Sequence, residues 1–516
     1  MSQFNLIPEA EYKLIVDRDT ARARRVYDFT MSSDDKNLMF REGYLRPILH
    51  IKDMFETSTE LYGDRPAFWE KPSHKEPYKV YSYKDALARV HAIGTALINR
   101  GFHDKAVSVL GDNSYAWATA YLTVTSGVGL VVPLDKELTT DEIEHLLIIA
   151  DVEAVFYPKK NAAMLEEIHS RGNTKLKLYI NQNAAPGELK DYEVSVDTLI
   201  FEGQGLLKDG NRDFLDAQIN AEKPAILIFT AGTTGVAKGV VLNQRNIATE
   251  LMIPDTVIGI VPEDKFFSFL PLHHTYECTC GFLVPLTQGA SIAYCEGLRH
   301  IVDNLAEAKP TVFLGVPLIF ENLYNKIWQN ARKSGKDKLL KNIIKVNKVT
   351  KKVHIDLGNA FFKDIRAVFG GRMRILICGG AAIDPAVIDG LKAFGIATLQ
   401  GYGLTECGPI CALNPIKGGK SASAGYLIPG FEGKIVDADP ETGIGEICAR
   451  GENVMMGYFN DPEATAEVME DGWYHTGDYG YIDKDNFIFI TGRKKNVIIT
   501  KTGKNVFPEE LEYKLG

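Results

Sequence analysis

Six short segments of this chain hold most of the residues able to do chemistry. The first, Thr230-Ala231-Gly232-Thr233-Thr234-Gly235-Val236-Ala237-Lys238-Gly239, follows directly on the apolar run Ala225 to Phe229. Its glycines let backbone N–H groups approach a polyphosphate, its threonine hydroxyls add donors, and Lys238 supplies a point charge. By composition it is a phosphate cradle, although a glycine-rich turn alone is as often only a turn. A Walker loop needs Gly-Lys-Ser/Thr after four intervening residues, so ordinary P-loop chemistry is not supported. The other five segments are Leu270-Pro271-Leu272-His273-His274, Cys378-Gly379-Gly380-Ala381-Ala382, Gly401-Tyr402-Gly403-Leu404-Thr405-Glu406, Trp473-Tyr474-His475-Thr476-Gly477-Asp478 and Gly492-Arg493-Lys494-Lys495. They offer a histidine pair, small residues that leave room for a ring, an aromatic face, two carboxylates and a cationic cluster.

In this order and spacing the six segments resemble the signature of the adenylate-forming (AMP-binding) superfamily, which includes acyl-CoA synthetases, firefly luciferase and nonribosomal peptide adenylation domains. The resemblance covers the chain from about residue 80 to its end. It implies attack of a carboxylate on the α-phosphorus of ATP, release of pyrophosphate, and transfer of the acyl group from acyl-AMP to coenzyme A. Such a site holds developing negative charge by positioning and electrostatics. The resemblance implies that Thr230, Gly232, Thr233, Thr234, Gly235 and Lys238 hold the β- and γ-phosphates and that Thr405 touches the α-phosphate. Glu406 would bind Mg²⁺, a cation that prefers oxygen ligands. Tyr402 would stack on adenine, with Gly380, Ala381 and Ala382 beside it. Asp478 and Arg493 would hold the ribose, a carboxylate being able to accept from both hydroxyls. His274 would stand between the acid and coenzyme pockets, and Lys495 would be the hinge residue of a small domain that swings between half-reactions. Thr502-Gly503-Lys504 resembles the loop that lines the pantetheine channel.

Departures limit this transfer. Ala231 replaces the usual serine and Ala237 the usual proline, both leaving the glycines and Lys238 intact. Gln244 stands where histidine is common, and Leu318 replaces the arginine of Val-Pro-Arg. Sequences of this kind also continue for roughly another domain and carry a catalytic lysine there, so the resemblance implies that this lysine lies outside the 516 residues. Pro310-Thr311-Val312, Val316-Pro317, Tyr324-Asn325-Lys326-Ile327 and the long linker to Gly371-Arg372-Met373-Arg374 resemble the long-chain fatty acyl-CoA synthetase branch. A medium- or long-chain fatty acid is the expected substrate; an aryl or bile acid, a luciferase-like oxidation and a catalytically silent adenylate-binding protein are the alternatives.

These segments must be positioned by a framework, and its pattern is visible. Leu87, Val90, Ile93 and Leu97 recur at helical spacing and stop at Gly101. Ala106 to Leu110, Gly129 to Val132 and Glu153 to Tyr157 read as strands, and Thr139 with Glu142 forms a capping box opening a helix. The alternation predicts an α/β fold with layered, mostly parallel sheets, whose ligands bind beyond the carboxyl ends of the strands. The resemblance adds a distorted β-barrel, a large domain over 1–492, and the start of a small α+β domain over 493–516. Gly203 to Asp213 reads as a surface loop, and Trp117 to Leu134 and Cys278 to Cys295 as buried helix and strand pieces, being too broken to span a membrane.

Lys plus Arg 58 against Asp plus Glu 67 gives a net charge of -9, which disfavours general nucleic-acid binding. Seven cysteines without paired metal spacings fit a reducing cytoplasm. His273, His274, Cys278 and Cys280 read as buried cysteines beside a functional histidine rather than as a metal centre. The start carries no export signal. Residues 321–352 contain ten Lys or Arg against Glu321 and Asp337. Drawn as a helix, Lys341, Lys345, Lys348 and Lys352 form a stripe opposite Leu339, Ile343 and Val346. That stripe is either a solvated face over a packed helix or a peripheral contact with an anionic inner membrane face.

Overall fold

The computed structural model describes residues 48–184, 187–230, 237–252, 257–350, 362–496, 498–499 and 505–506, and the side chains of all of these except 345–350, 363–364, 498–499 and 505–506. Two large sheets with helices packed on them form the framework. The first sheet runs, edge to edge, Gly457–Tyr458, Lys238–Asn243, Pro224–Thr230, Gly129–Leu134, Lys105–Leu110, Ala154–Tyr157, Leu178–Asn181 and Glu193–Ser195. From Pro224–Thr230 to Glu193–Ser195 every pairing is parallel. Strands buried on both faces must be apolar throughout rather than alternating, and Val107, Val109 and Leu110, or all of Ala154–Tyr157, meet that demand. The helix Tyr83–Asn99 begins at a Ser82 capping box, and the helix Thr140–Ile149 at the expected Thr139–Glu142 box.

The second sheet changes character along its length. Pro66–Glu70, Ser291–Tyr294, Lys265–Ser268, Val312–Gly315, Ile375–Cys378 and Ala397–Gly403 are neighbours in parallel. Antiparallel strands continue it: Ile410–Leu413, Gly425–Leu427, Phe487–Arg493, Trp473–Ile482, Gly445–Gly451 and Phe431–Val436. The strand Ala397–Gly403 makes the change. Its first four residues pair with Ile375–Cys378 in parallel, and Gly401 to Gly403 pair antiparallel with the following strand. The Tyr402 segment therefore sits where the parallel core ends, the crevice position expected of an open α/β sheet.

Three sequence expectations are corrected. Gly203 to Asp213 begins inside the helix Val196–Lys208 rather than in a loop. A Cβ on Gly203 would lie 1.8 Å from the Ala92 carbonyl oxygen, so this glycine permits close packing of two helices. Phe487 to Ile490 reads from the sequence as a short strand at the start of the small unit, but the strand runs from Phe487 through Arg493 within the large antiparallel sheet, because the ladder to Trp473–Ile482 continues across Gly492. In the helix Asp337–Thr350, Leu340 is buried and Ile343 and Ile344 pack on the core formed by Phe320, Phe362 and Phe394, whereas Leu339 is exposed. Of the expected set Ile343 faces the core, but Leu340 and Ile344 complete the apolar stripe in place of Leu339, because the core lies to that side; the side chain of Val346 lies outside those described. The two charge-poor stretches are buried helix and strand pieces as expected, the second containing the π-helical turn Tyr276–Leu283.

Candidate active site

Thr230 ends one strand and Lys238 begins the next, and the two residues are paired across these antiparallel strands. The Thr230 hydroxyl donates to the Lys238 carbonyl at 3.3 Å. Gly232, Thr233, Thr234 and Gly235 lie outside the described residues. Thr405 and Glu406 form a 3-10 turn, Thr405–Cys407, just past Gly403. This turn is braced from below by a buried carboxyl. Glu250 accepts from the Ile410 backbone N–H at 3.1 Å and from Asn453 Nδ2 at 2.7 Å, and Asn453 Nδ2 also donates to the Cys407 and Ile410 carbonyls. Burial pushes the Glu250 pKa well above the ordinary carboxyl value, with the Asn453 and Ile410 bonds opposing.

Two cavities meet at Gly403, Leu404 and Thr405. One, of about 190 Å³, is mostly apolar, with Ile258, Phe266, Val284, Ile377 and Leu413 among its walls and His274, Thr275, Gly380 and Tyr402 at its polar positions. The other is a polar cleft of about 1070 Å³ that collects Thr230, Lys238, Glu406, Glu446, Tyr458, Arg493, Lys494 and Lys495. A side chain on Gly403 would meet the Pro409 carbonyl oxygen at 1.9 Å, so the junction needs glycine. Thr275 Oγ1 and Thr405 Oγ1 lie 3.3 Å apart there. Gly380 has φ +81°, a conformation glycine adopts without strain. Ala381 and Ala382 follow it on an exposed turn and line neither cavity.

Asp478 is brought to Tyr402 and Arg493 by strand pairing. Asp478 and Arg493 are directly opposed across two antiparallel strands. Arg493 Nε lies 2.8 Å from Asp478 Oδ1, and the Tyr402 hydroxyl donates to Oδ2 at 2.7 Å. Burial raises the Asp478 pKa, with Arg493 and Tyr402 pulling the other way. Glu406 accepts from the Tyr458 hydroxyl at 3.0 Å through Oε1, and Oε2 takes no hydrogen bond from a described residue. Burial, then Glu406, keeps the Tyr458 phenol protonated. Lys238 Nζ lies 4.8 Å from the centre of the same tyrosine ring. Among the described residues neither Lys238 nor Lys495 has an ion-pair partner, whereas Lys494 is held by Glu446 at 2.7 Å. Among the described residues, these two ammonium groups are open to an anion.

His274 and His273 pack ring to ring at 4.2 Å, and His273 Nε2 is 3.6 Å from Asp135. Burial lowers the His273 pKa to about 4, and partial desolvation lowers that of His274, whose surface remains exposed. The Cys278 thiol, pushed up to about 12 by burial, is inert packing. These histidines and cysteines are not gathered around a common point among the described residues. Tyr458, Glu250 and Asn453 were not expected from the sequence. Gly457-Tyr458 is an ordinary strand dipeptide, and only its pairing with Val240 and Val241 carries the ring to Lys238.

The donor set suits the groups the sequence implies. A hard carboxylate with an open oxygen, beside the ammonium groups of Lys238 and Lys495, fits Mg²⁺ next to a polyphosphate; a buried carboxylate flanked by an aromatic ring and a guanidinium fits a nucleoside.

Comparison with known proteins agrees with this geometry. Residues 55–459 match the AMP-binding enzyme family. The chain is similar to Long-chain-fatty-acid--CoA ligase 1 of Cavia porcellus, 27% identical over 94% of this chain and 72% of that one. It is also similar to Long chain acyl-CoA synthetase 2 of Arabidopsis thaliana, 30% identical over 84% and 70%. Among solved structures it resembles the anthranilate CoA ligase AuaEII in complex with anthranoyl-AMP, at a TM-score of 0.73 and 20% identity over 91% of this chain and 83% of that one. The ATP-bound MatB of Rhodopseudomonas palustris gives 0.69 and 23% over 90% and 83%. At these identities the structural likeness speaks for the fold.

Proposed function

Because this chain belongs to the AMP-binding enzyme family, we propose that it is an AMP-forming acid–thiol ligase that activates a fatty acid with ATP and passes the acyl group to coenzyme A. The carrying observation is the meeting of the apolar cavity and the polar cleft that holds Lys238, Glu406 and Lys495 at Gly403 to Thr405. A carboxylic acid with its hydrocarbon part in the first presents its head to a phosphate in the second. A carboxylate oxygen attacks the α-phosphorus, the bond to pyrophosphate breaks, and acyl-AMP forms. The thiol of coenzyme A then attacks the acyl carbonyl and AMP leaves.

Lys238 and Lys495 balance the charge of the polyphosphate, and Thr405 offers a hydroxyl at the junction. Glu406 would hold Mg²⁺, which neutralises phosphate charge when bound. Asp478 would accept from the ribose, with Arg493 and Tyr402 fixing its two oxygens. His274, exposed at the lining of the apolar cavity, offers its imidazole to the junction. Lys495, just past the last strand of the large sheet, is our choice for the hinge, and residues 493–516 for the beginning of the small domain. The apolar walls and the names of the relatives favour a medium- or long-chain fatty acid.

ATP–pyrophosphate exchange over a panel of fatty, aryl and bile acids, followed by thioester formation with coenzyme A, tests the reading. Exchange with fatty acids supports it. Exchange only with aryl or bile acids moves the substrate class, oxygen consumption with acyl-AMP points to a luciferase-like enzyme, and failure to bind ATP or a preformed acyl-adenylate, with no exchange with any acid, overturns it.

Contact with an anionic membrane is a further part of this reading. Lys326, Arg332, Lys333, Lys338 and Lys341 are exposed on two adjoining helices and Lys336 on the turn between them; the side chains of Lys345 and Lys348 are not among those described, and Lys351 and Lys352 lie outside the described residues. Because the apolar stripe is spent on the core, attraction would be electrostatic, about 1 kcal/mol per charge near the surface. None of the described helices is long and apolar enough to cross a membrane. Salt-sensitive co-sedimentation with anionic vesicles supports this contact, and its absence removes it.

A further inference from the structure

A second cluster of ligating side chains lies away from both cavities, at the carboxyl ends of two neighbouring strands. Pro66–Glu70 and Ser291–Tyr294 pair in parallel, Phe68 with Ile292 and Trp69 with Ala293. Their chains leave the sheet at the same end. One continues into the loop bearing His74; the other passes Glu296 and a 3-10 turn to His300, which caps the helix Ile301–Ala308 whose first turn holds Asp303. The rings of His74 and His300 lie 4.3 Å apart. One ligand atom from each of His74, His300 and Asp303 falls within 4.8 Å of the others.

The loop is held in place independently of this cluster. Lys71 pairs with Glu307 of the helix at 2.5 Å, and the Tyr78 hydroxyl donates to the Tyr294 carbonyl at 3.0 Å. Glu296 forms the floor. Its backbone N–H donates to Asn304 Oδ1, Asn304 Nδ2 donates to its Oε2 at 2.8 Å, and His74 Nδ1 lies 3.2 Å from that same oxygen. A carboxylate on one ring nitrogen of a histidine fixes its tautomer and leaves the other nitrogen as a ligand, the arrangement that supports histidines at metal centres.

We propose that His74, His300 and Asp303 form a binding site for a divalent metal of the Zn²⁺ type, joining the His74 loop to the helix Ile301–Ala308. Two imidazoles and one carboxylate are a zinc donor set, with water completing the tetrahedron. Hard cations such as Mg²⁺ seek all-oxygen ligands and are not expected here. Ligand atoms around tetrahedral zinc stand about 3.4 Å apart, so exposed His74 and Asp303 close in by small side-chain rotations. The cluster shares no residue with the proposed nucleotide site.

The test is a titration of the full chain, stripped of metal, with Zn²⁺ and separately with Co²⁺, against His74→Ala, His300→Ala and the double variant. The wild-type chain is expected to bind one more Zn²⁺ than the double variant, with micromolar affinity and tetrahedral Co²⁺ absorption, and each single variant to weaken that site at least about tenfold. Unchanged melting temperature without metal and unchanged ATP–pyrophosphate exchange without zinc show that the variants fold. Equal Zn²⁺ stoichiometry and affinity in wild type and double variant, or no saturable binding, overturns the proposal.

Discussion

Replacing Tyr458 by Phe removes one oxygen and leaves the ring in place. The hydroxyl lost is the one that donates to Glu406 at 3.0 Å, and the ring kept is the one 4.8 Å from the Lys238 ammonium. A hydrogen bond to an ionised group contributes about 1.5–3 kcal/mol, and the open cleft argues for the lower end. At about 1.5 kcal/mol, Tyr458→Phe should lower kcat/KM for ATP in pyrophosphate exchange roughly tenfold. Part of the loss should return at high Mg²⁺, since the defect lies in how Glu406 is aimed. Tyr458→Ala also removes the cation–π contact, about 0.5–1 kcal/mol at an exposed site, and should cost about two- to fivefold more. A wild-type rate for Tyr458→Phe would refute the role of the hydroxyl, and equal losses for Phe and Ala would refute that of the ring.

Glu406→Gln keeps the size of the side chain but not its charge, so exchange should fall by roughly 100-fold or more while AMP binding by calorimetry changes little; ordinary rates at ordinary Mg²⁺ would remove Glu406 from the site. Asp478→Asn leaves Arg493 without its carboxylate and should raise the KM for ATP about 10- to 100-fold, which initial rates at varied ATP would reveal. The His273 pKa of about 4 lies below its ordinary value, so the unfolded chain binds more protons between pH 6.5 and 4 and stability falls as pH drops through that window. The loss is at most about 3 kcal/mol, and thermal melts of wild type and His273→Asn between pH 7.5 and 4.5 should show a shallower slope in the variant. Gly203→Ala, whose Cβ would meet the Ala92 carbonyl at 1.8 Å, should destabilise by about 1–3 kcal/mol, seen as a lower urea midpoint; an unchanged midpoint would mean that the two helices separate freely.

Much of the fold was legible because its signals are local. Apolar runs such as Ala154 to Tyr157 and the Thr139–Glu142 box carry their own instructions, set by backbone period and unsatisfied helix N–H groups. Gly203 misled for the opposite reason. A glycine in a polar stretch reads as a turn, and only the partner helix shows why a Cβ is forbidden.

For the proposed site, the order and types of residues in the segments that resemble the family signature were enough to nominate Lys238, Tyr402, Glu406 and Asp478 as candidates, since each chemical task restricts the side chains that can perform it. What sequence could not supply were contacts between segments distant along the chain. The Asp478–Arg493 pair depends on strand register, the Tyr458–Glu406 bond joins residues 52 apart, and the Glu250–Asn453 brace joins residues 203 apart. None has a periodic signature, because side-chain distances across a fold are fixed by packing rather than by spacing. The His74–His300–Asp303 cluster is of the same kind: three ordinary surface residues become neighbours only because two parallel strands deliver their loops to one end of a sheet.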